Sequence, residues 1–393
     1  MTTPDIQVSA RLPWDAADPY PFYEARRAQG DIVWDDTGGA WLILGYHPAR
    51  RILTGPGWTS NPLANPNTPT ALRATDPDIL RRNILFADGP DHQRLRHAVR
   101  DVFTRSFITN LGEGITAIAA QTIDSISTGV EFDFMTEIAL PLPIAVAAAW
   151  MALDIDTARL LREESPAITA MLANSSDHAA IENGTDALAT LLTEFLPLAA
   201  DRRTHPGDDL LSFLAADTDL ELDDVVTTAI IIAIAGHETT ANLLGAALIR
   251  LTTAQRDGTR PIDAIETIDD RLITELLRLD GPVQAVSRTA TCDHVINGIV
   301  IGEGEPALVV LAAANRDPTV FPKPDQIQLD RLGPVPLTFG HGAHYCLGAA
   351  LARLETAITL NQVVLRRPIL RGTPTWRDNP ALRGPRTLPC AFT

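Results

Sequence analysis

From Asp91 onward, apolar residues recur at helical spacing for most of the next 160 residues. Thr128-Gly129, Leu140 to Pro143, Asn183-Gly184 and His205-Pro206-Gly207 read as breaks between helices. The longest periodic segment, Leu222 to Ala254, predicts a helix of roughly 33 residues and ~50 Å that must cross the whole molecule. Upstream, a short helix over Pro21 to Gln29 stops at Gly30, and another covers His47 to Leu53. Between them, Ile32-Val33-Trp34 and Trp41 to Leu44 flank Asp35-Asp36-Thr37-Gly38-Gly39, the turn chemistry of a hairpin. Residues 54–78, with five prolines, read as an irregular binding loop or lid.

After a helix at Asp269 to Leu279 the pattern changes to short β-like runs at Ala285 to Thr289, Val295 to Ile301 and Ala307 to Leu311. A Pro- and Asp-rich coil occupies 316–337, a last long helix 348–367, and strand-and-turn sequence the C-terminal 25 residues. The fold class is mainly α with a smaller β-rich part. One domain is expected over 1–393, helical at about 91–280 and 348–367 and β-rich at about 31–50, 285–311 and 368–393.

Charge narrows the function. The net charge of −17 repels phosphate backbones and anionic lipid, which excludes nucleic-acid and membrane-surface roles. Cys292, Cys346 and Cys390 show no metal-pair spacing, and their odd number argues against a disulfide framework. The N-terminus lacks the pattern of a secretory signal, and the most apolar stretch, Ala229 to Ala235, is too short to span a membrane. A soluble cytoplasmic protein is expected.

The sharpest local feature is Phe339-Gly340-His341-Gly342-Ala343-His344-Tyr345-Cys346-Leu347-Gly348, just before a helical run. Glycines let the backbone approach something flat, and a helix start favours a thiolate. Three readings fit: a buried structural cysteine, a nucleophilic or redox thiol without an obvious partner, or the axial ligand of a haem iron.

Phe-Gly-x-Gly-x-His-x-Cys-x-Gly, continuing as Ala349-Ala350-Leu351-Ala352-Arg353-Leu354-Glu355, resembles the haem-binding signature of soluble bacterial cytochromes P450. That likeness implies the cytochrome P450 fold, a triangular prism of about a dozen helices with haem between the long central helix and the helix after the cysteine loop. It implies Cys346 as the metal ligand, with Phe339, Gly340 and Gly348 shaping the turn around the cofactor.

Other stretches agree. Ala235-Gly236-His237-Glu238-Thr239-Thr240 matches the family's central-helix pattern. Ile232, Ala235, Gly236, Thr239 and Leu243 share one face by spacing, and Thr239 can hydrogen-bond back to the Ala235 carbonyl. By resemblance Ala235 and Gly236 leave room beside the haem, Thr239 stabilises bound dioxygen, Glu238 belongs to the proton path, and His237 faces away without a role. His92, Arg96, Arg288 and His344 match the donors to the haem propionates. Glu275, Arg278 and Arg331 match a buried structural network beneath the cysteine loop. The likeness covers about residues 15–393. It departs at Gln255 to Ile268, which lacks the usual Pro-Glu turn.

The expected function is a haem-thiolate monooxygenase carrying haem b (iron protoporphyrin IX), which inserts one atom of O2 into a lipophilic small molecule. A peroxide-driven haem-thiolate enzyme and a haem or ligand sensor are the alternatives. The sequence has no nucleotide-binding fingerprint and no iron–sulfur cysteine set, so electrons are expected from a separate ferredoxin and its NAD(P)H-dependent reductase. The protein itself is expected to be a monomer. A basic patch of Arg94, Arg100, Arg105 and Arg353 is expected to steer the ferredoxin. The substrate pocket is expected from the 54–85 loop, residues near Ser165 to Ser176, Ile231, Ile232, Gln284 (as a polar anchor), Ala285, Val286 and Thr387-Leu388.

Overall fold

The long periodic segment forms one helix, Leu222–Thr252, and burial on almost every side explains its apolar composition. Glu221 and Asp224 start it with reciprocal side-chain to backbone hydrogen bonds. Asp224 also takes Arg82 and Arg94 at 2.9 and 2.8 Å, which pins that end. In its first half Val225, Val226, Ala229 and Ile230 join a core with helices Ile155–Ala173 and His178–Thr204. In its second half Leu244, Ala247, Leu248 and Leu251 join a second core with Met135, Leu276, Leu360 and Phe392. The helix is long and apolar enough to cross a membrane by length and composition, yet most of it lies inside the protein. The computed structural model describes residues 12–68, 70–73, 80–173, 177–254 and 258–393.

Helix boundaries follow the sequence pattern at most places. Tyr20–Arg27, Tyr46–Thr54, Asp270–Asp280 and Ala349–Leu365 occupy the expected positions. The break expected at Asn183-Gly184 is absent, because His178–Thr204 runs straight through it. Gly184 serves close packing instead: a Cβ there would sit 2.4 Å from Cβ of Met171 on the neighbouring helix. Leu140 to Pro143 is a junction, where a π-helical turn, Met135–Ala139, passes into helix Pro141–Trp150 with proline in its first turn. In the irregular 54–78 segment, the short strand Trp58–Thr59 and the turns Pro62–Ala64 and Thr70–Arg73 form, while 74–79 lie outside the described residues, as do 255–257 of the departing loop.

The main sheet has the order Ile32–Asp35, Ala40–Ile43, Pro306–Val309, Val286–Ala290, Trp58–Thr59. The predicted hairpin pairs Ile32 with Ile43 and Trp34 with Trp41. Val295 to Ile301 is a second hairpin rather than one strand, with Asn297 and Gly298 both at positive φ (52° and 80°) in its turn. The C-terminal strands do not join the main sheet. Pro389–Phe392 pairs instead with Pro368–Leu370 and with Glu131–Asp133, a strand inside the helical part that periodicity does not reveal.

The coil 316–337 has little regular structure, so its carbonyls need donors from elsewhere. Arg278, fully buried, supplies them: it forks onto Glu275 at 2.7 and 2.9 Å and donates to the carbonyls of Asn315, Pro324 and Gln326. Arg331 bonds the same carboxylate at 3.0 Å and the Pro322 carbonyl at 2.7 Å, and Gln328 N–H completes the set. Asn315 then holds the chain before the cysteine loop, donating to Thr338 Oγ1 and accepting from Leu337 N–H. Replacing one partner of a buried ion pair leaves the others uncompensated. Glu275→Ala is therefore expected to cost about 3–5 kcal/mol, read as a lowered denaturation midpoint, with the 316–337 coil losing hydrogen-exchange protection first.

Candidate active site

The Gly-rich loop is bent by backbone geometry. Gly340 and Gly342 have φ of 69° and 75°, and a Cβ on Gly342 would sit 2.3 Å from the Leu53 carbonyl oxygen. Only glycine serves there. Cys346 N–H closes the loop onto the carbonyl of Phe339, whose half-buried ring meets Tyr345 edge-on at 6.4 Å. Gly348 caps helix Ala349–Leu365 and donates its N–H to the Cys346 sulfur.

The sulfur is open on its cavity side and enclosed by protein elsewhere. Burial pushes the thiol up from its ordinary range, and the Gly348 N–H and Arg96 only partly offset this. A cation bound at the sulfur would favour the thiolate against this burial. A crevice of about 1000 Å³ reaches this point, with His92, Arg96, Arg100, Arg105 and Cys346 among its walls.

On the central helix, Ile232, Ala235, Gly236 and Thr239 form the face that is not buried. A Cβ added at Gly236 would meet nothing within 4 Å, in a helix otherwise packed all round. Thr239 Oγ1 donates to the Ala235 carbonyl at 2.8 Å. Glu238 points elsewhere: it is buried and 3.3 Å from Nη1 of Arg377 on the C-terminal segment. Burial raises its carboxyl, and Arg377 partly offsets the rise.

The four expected propionate donors divide into two pairs. His92 is buried and its ring lies 4.2 Å from that of His344, centroid to centroid. Burial first, then His344 and Arg96, hold its pKa down at about 4. Arg96 donates to the Tyr345 carbonyl and Arg288 to that of Ser287, and among the described residues neither joins an ion pair. Burial lowers the pKa of both. Desolvated guanidinium groups that no ion pair ties down suit an anionic ligand. The haem implied by the sequence fits these features: a cysteine lining a crevice, a Cβ-free helix position and two desolvated arginines outside any ion pair among the described residues.

Several pocket assignments need correction. Gln284 is no anchor: its amide donates to the Gly281 carbonyl and its oxygen accepts from the Tyr23 hydroxyl, deep in the core. Leu388 is fully buried between two C-terminal strands, and Ile231 faces the core, unlike Ile232. Ala285 and Val286, by contrast, are only half-buried, at the start of a main-sheet strand. Ser165 is buried against His237, and 174–176 of the expected lining lie outside the described residues. The basic patch is also partly spent: Arg94 is bound to Asp224, Arg353 to Asp270 and Arg100 to Asp101. Arg105 alone of the four joins no ion pair among the described residues.

Three polar residues escape the sequence pattern. His237 is a clamp: its Nδ1 meets the Ser165 hydroxyl at 2.9 Å and its Nε2–H the Leu140 carbonyl at 3.0 Å, with burial holding its pKa at about 4. Asp88 meets His344 at 3.0 Å. Glu355 lies in the buried stripe of its helix with Thr359 and Val363, and burial raises its carboxyl to about 8. Its i, i+4, i+8 spacing to those residues is a signal that could have found it.

A family model described as Cytochrome P450 matches residues 268–367. Cytochrome P450 monooxygenase PikC of Streptomyces venezuelae is 32% identical over 95% of this chain and 91% of its own length. Vitamin D(3) 25-hydroxylase of Pseudonocardia autotrophica is 31% identical over 90% and 87%. Among solved structures, ligand-free CYP164A2 of Mycobacterium smegmatis superposes with a TM-score of 0.84 at 32% identity, covering 95% and 96%. P450BioI in complex with an acyl carrier protein gives 0.86 at 28%, covering 96% and 99%.

Because the folded state keeps Glu355 protonated to higher pH than the unfolded chain does, its ionisation opposes folding as pH rises from the ordinary carboxylate range toward 8. Glu355→Gln is expected to match wild type in melting temperature at about pH 5 and to exceed it increasingly toward pH 8.

Proposed function

Because the chain belongs to the cytochrome P450 family and is a haem monooxygenase, we propose that Cys346 ligates the iron of haem b, with Arg96, Arg288, His92 and His344 at the propionates. The observation that carries this reading is Cys346, held on a Gly-bent loop and lining a crevice that His92 and the desolvated Arg96 also line. Bound there, the haem supplies the activation of O2 that transfers one oxygen atom to a substrate C–H or C=C bond.

The chain's own groups do the rest. The loop holds the sulfur at a fixed place. Thr239 keeps a hydroxyl on the open face of the central helix, able to turn from the Ala235 carbonyl to a ligand. Glu238, one residue away and held against Arg377, is the proton carrier between the surface and that hydroxyl. Ile232 and Ala235 give the open face an aliphatic lining, which supports a lipophilic substrate. Electrons come one at a time from a ferredoxin reduced by an NAD(P)H-dependent reductase, and the protein acts as a cytoplasmic monomer.

Cys346→Ser is expected to abolish the red-shifted Soret band of the reduced, carbon monoxide-treated protein; retention of the band would overturn the ligand assignment. Glu238→Gln is expected to slow turnover with a surrogate ferredoxin, reductase and NADPH by about 10²–10⁴-fold. Arg377→Gln removes the one cation that counters burial at Glu238, so the limb of the rate–pH profile set by Glu238 moves to higher pH.

A further inference from the structure

Asp88 immediately precedes helix Gly89–Val99 and occupies its N-cap, where an aspartate ordinarily accepts hydrogen bonds from its own helix. It makes none of them. Gly89 follows with a φ of 55°, so the chain turns through a left-handed residue on entering the helix. The carboxylate is spent on two distant segments instead. Oδ2 accepts from the Ser60 N–H at 2.8 Å and from the Thr59 hydroxyl, and Oδ1 accepts from Nε2–H of His344 at 3.0 Å.

One side chain thus joins the start of the 54–85 loop, the helix bearing His92 and Arg96, and the cysteine loop two residues before Cys346. Burial alone would raise the Asp88 carboxyl, but the bonds from His344, Thr59 and Ser60 outweigh it and bring it to about 2. These three hydrogen bonds favour the charged carboxylate. The His344 ring it holds lies 4.2 Å from that of His92, centroid to centroid, tilted by 34°.

We propose that Asp88 is a positioning residue for the haem: its carboxylate fixes the ring of His344 and thereby the propionate end of the cavity. This is the arrangement in which an outer carboxylate orients a histidine that itself faces a cofactor. The inference rests on the haem-thiolate reading, and it assigns a role to a residue outside the propionate donors themselves.

The test compares holoenzyme variants by the rate of haem transfer to excess apomyoglobin, followed in the Soret region. Asp88→Ala is expected to lose haem about 10- to 100-fold faster than wild type. Asp88→Asn keeps an acceptor for Ser60 and Thr59 but drops the charge, and guards against a variant that fails to fold. It is expected to lose haem at an intermediate rate and to have a more positive reduction potential, because an anion near the cofactor is gone. A residue that acts through His344 adds nothing once His344 is removed, so Asp88→Ala/His344→Ala is expected to lose haem no faster than His344→Ala.

Unchanged haem loss in both Asp88 variants, or fully multiplicative effects in the double variant, would overturn the proposal while leaving haem-thiolate ligation intact. A wild-type protein without the thiolate Soret band overturns both.

Discussion

The Glu275 carboxylate is the constraint on which the rest of the site depends. Two guanidinium groups and one backbone N–H converge on it, and through Arg278 and Arg331 it organises a coil that makes few internal hydrogen bonds. Buried charge of this kind adds little stability when compared with a well-packed apolar core, but it tolerates no partial removal. Its value is placement. The coil leads directly to Leu337 and Thr338, which Asn315 and Leu277 hold, and then to the loop that carries Cys346.

The site above that network shows the same division between rigid backbone and committed charge. Gly342 lies against the Leu53 carbonyl, and Gly236 leaves an opening in a helix that is otherwise packed all round. Around these openings most charged groups are already paired: Arg94 with Asp224, Arg353 with Asp270, His344 with Asp88. Arg96 and Arg288 stand out because they are desolvated and join no ion pair among the described residues. In a protein with a net charge of −17, the crevice at Cys346 is nonetheless lined by Arg96, Arg100, Arg105 and Arg353.

Legibility differed by residue and for physical reasons. The Gly-rich loop could be read because cysteine, histidine and three glycines are fixed by short-range geometry within ten residues. Glu275 and Arg278, one helical turn apart, were marked as a network only by the family resemblance. Gln284, Leu388 and Ile231 were misplaced because an apolar or amide side chain carries no mark of whether a cavity or the core lies in front of it. The ion pairs of Arg94 and Arg353 were not legible because Asp224 and Asp270 lie 130 and 83 residues away along the chain.

The sequence by itself determined the helical body, the spanning length of the central helix, the hairpin at Asp35 to Gly39 and the cysteine loop with its family, since periodicity and turn chemistry act over a few residues. Only the tertiary structure decided that Glu131–Asp133 pairs with the C-terminal strand, that Gly184 serves helix packing, and that Glu238 leans on Arg377 and Asp88 on His344. Those outcomes depend on which surfaces meet after chain segments separated by tens to hundreds of residues are brought together. Burial and counter-charge, which set the behaviour of Cys346 and Glu355, exist only once that assembly is complete.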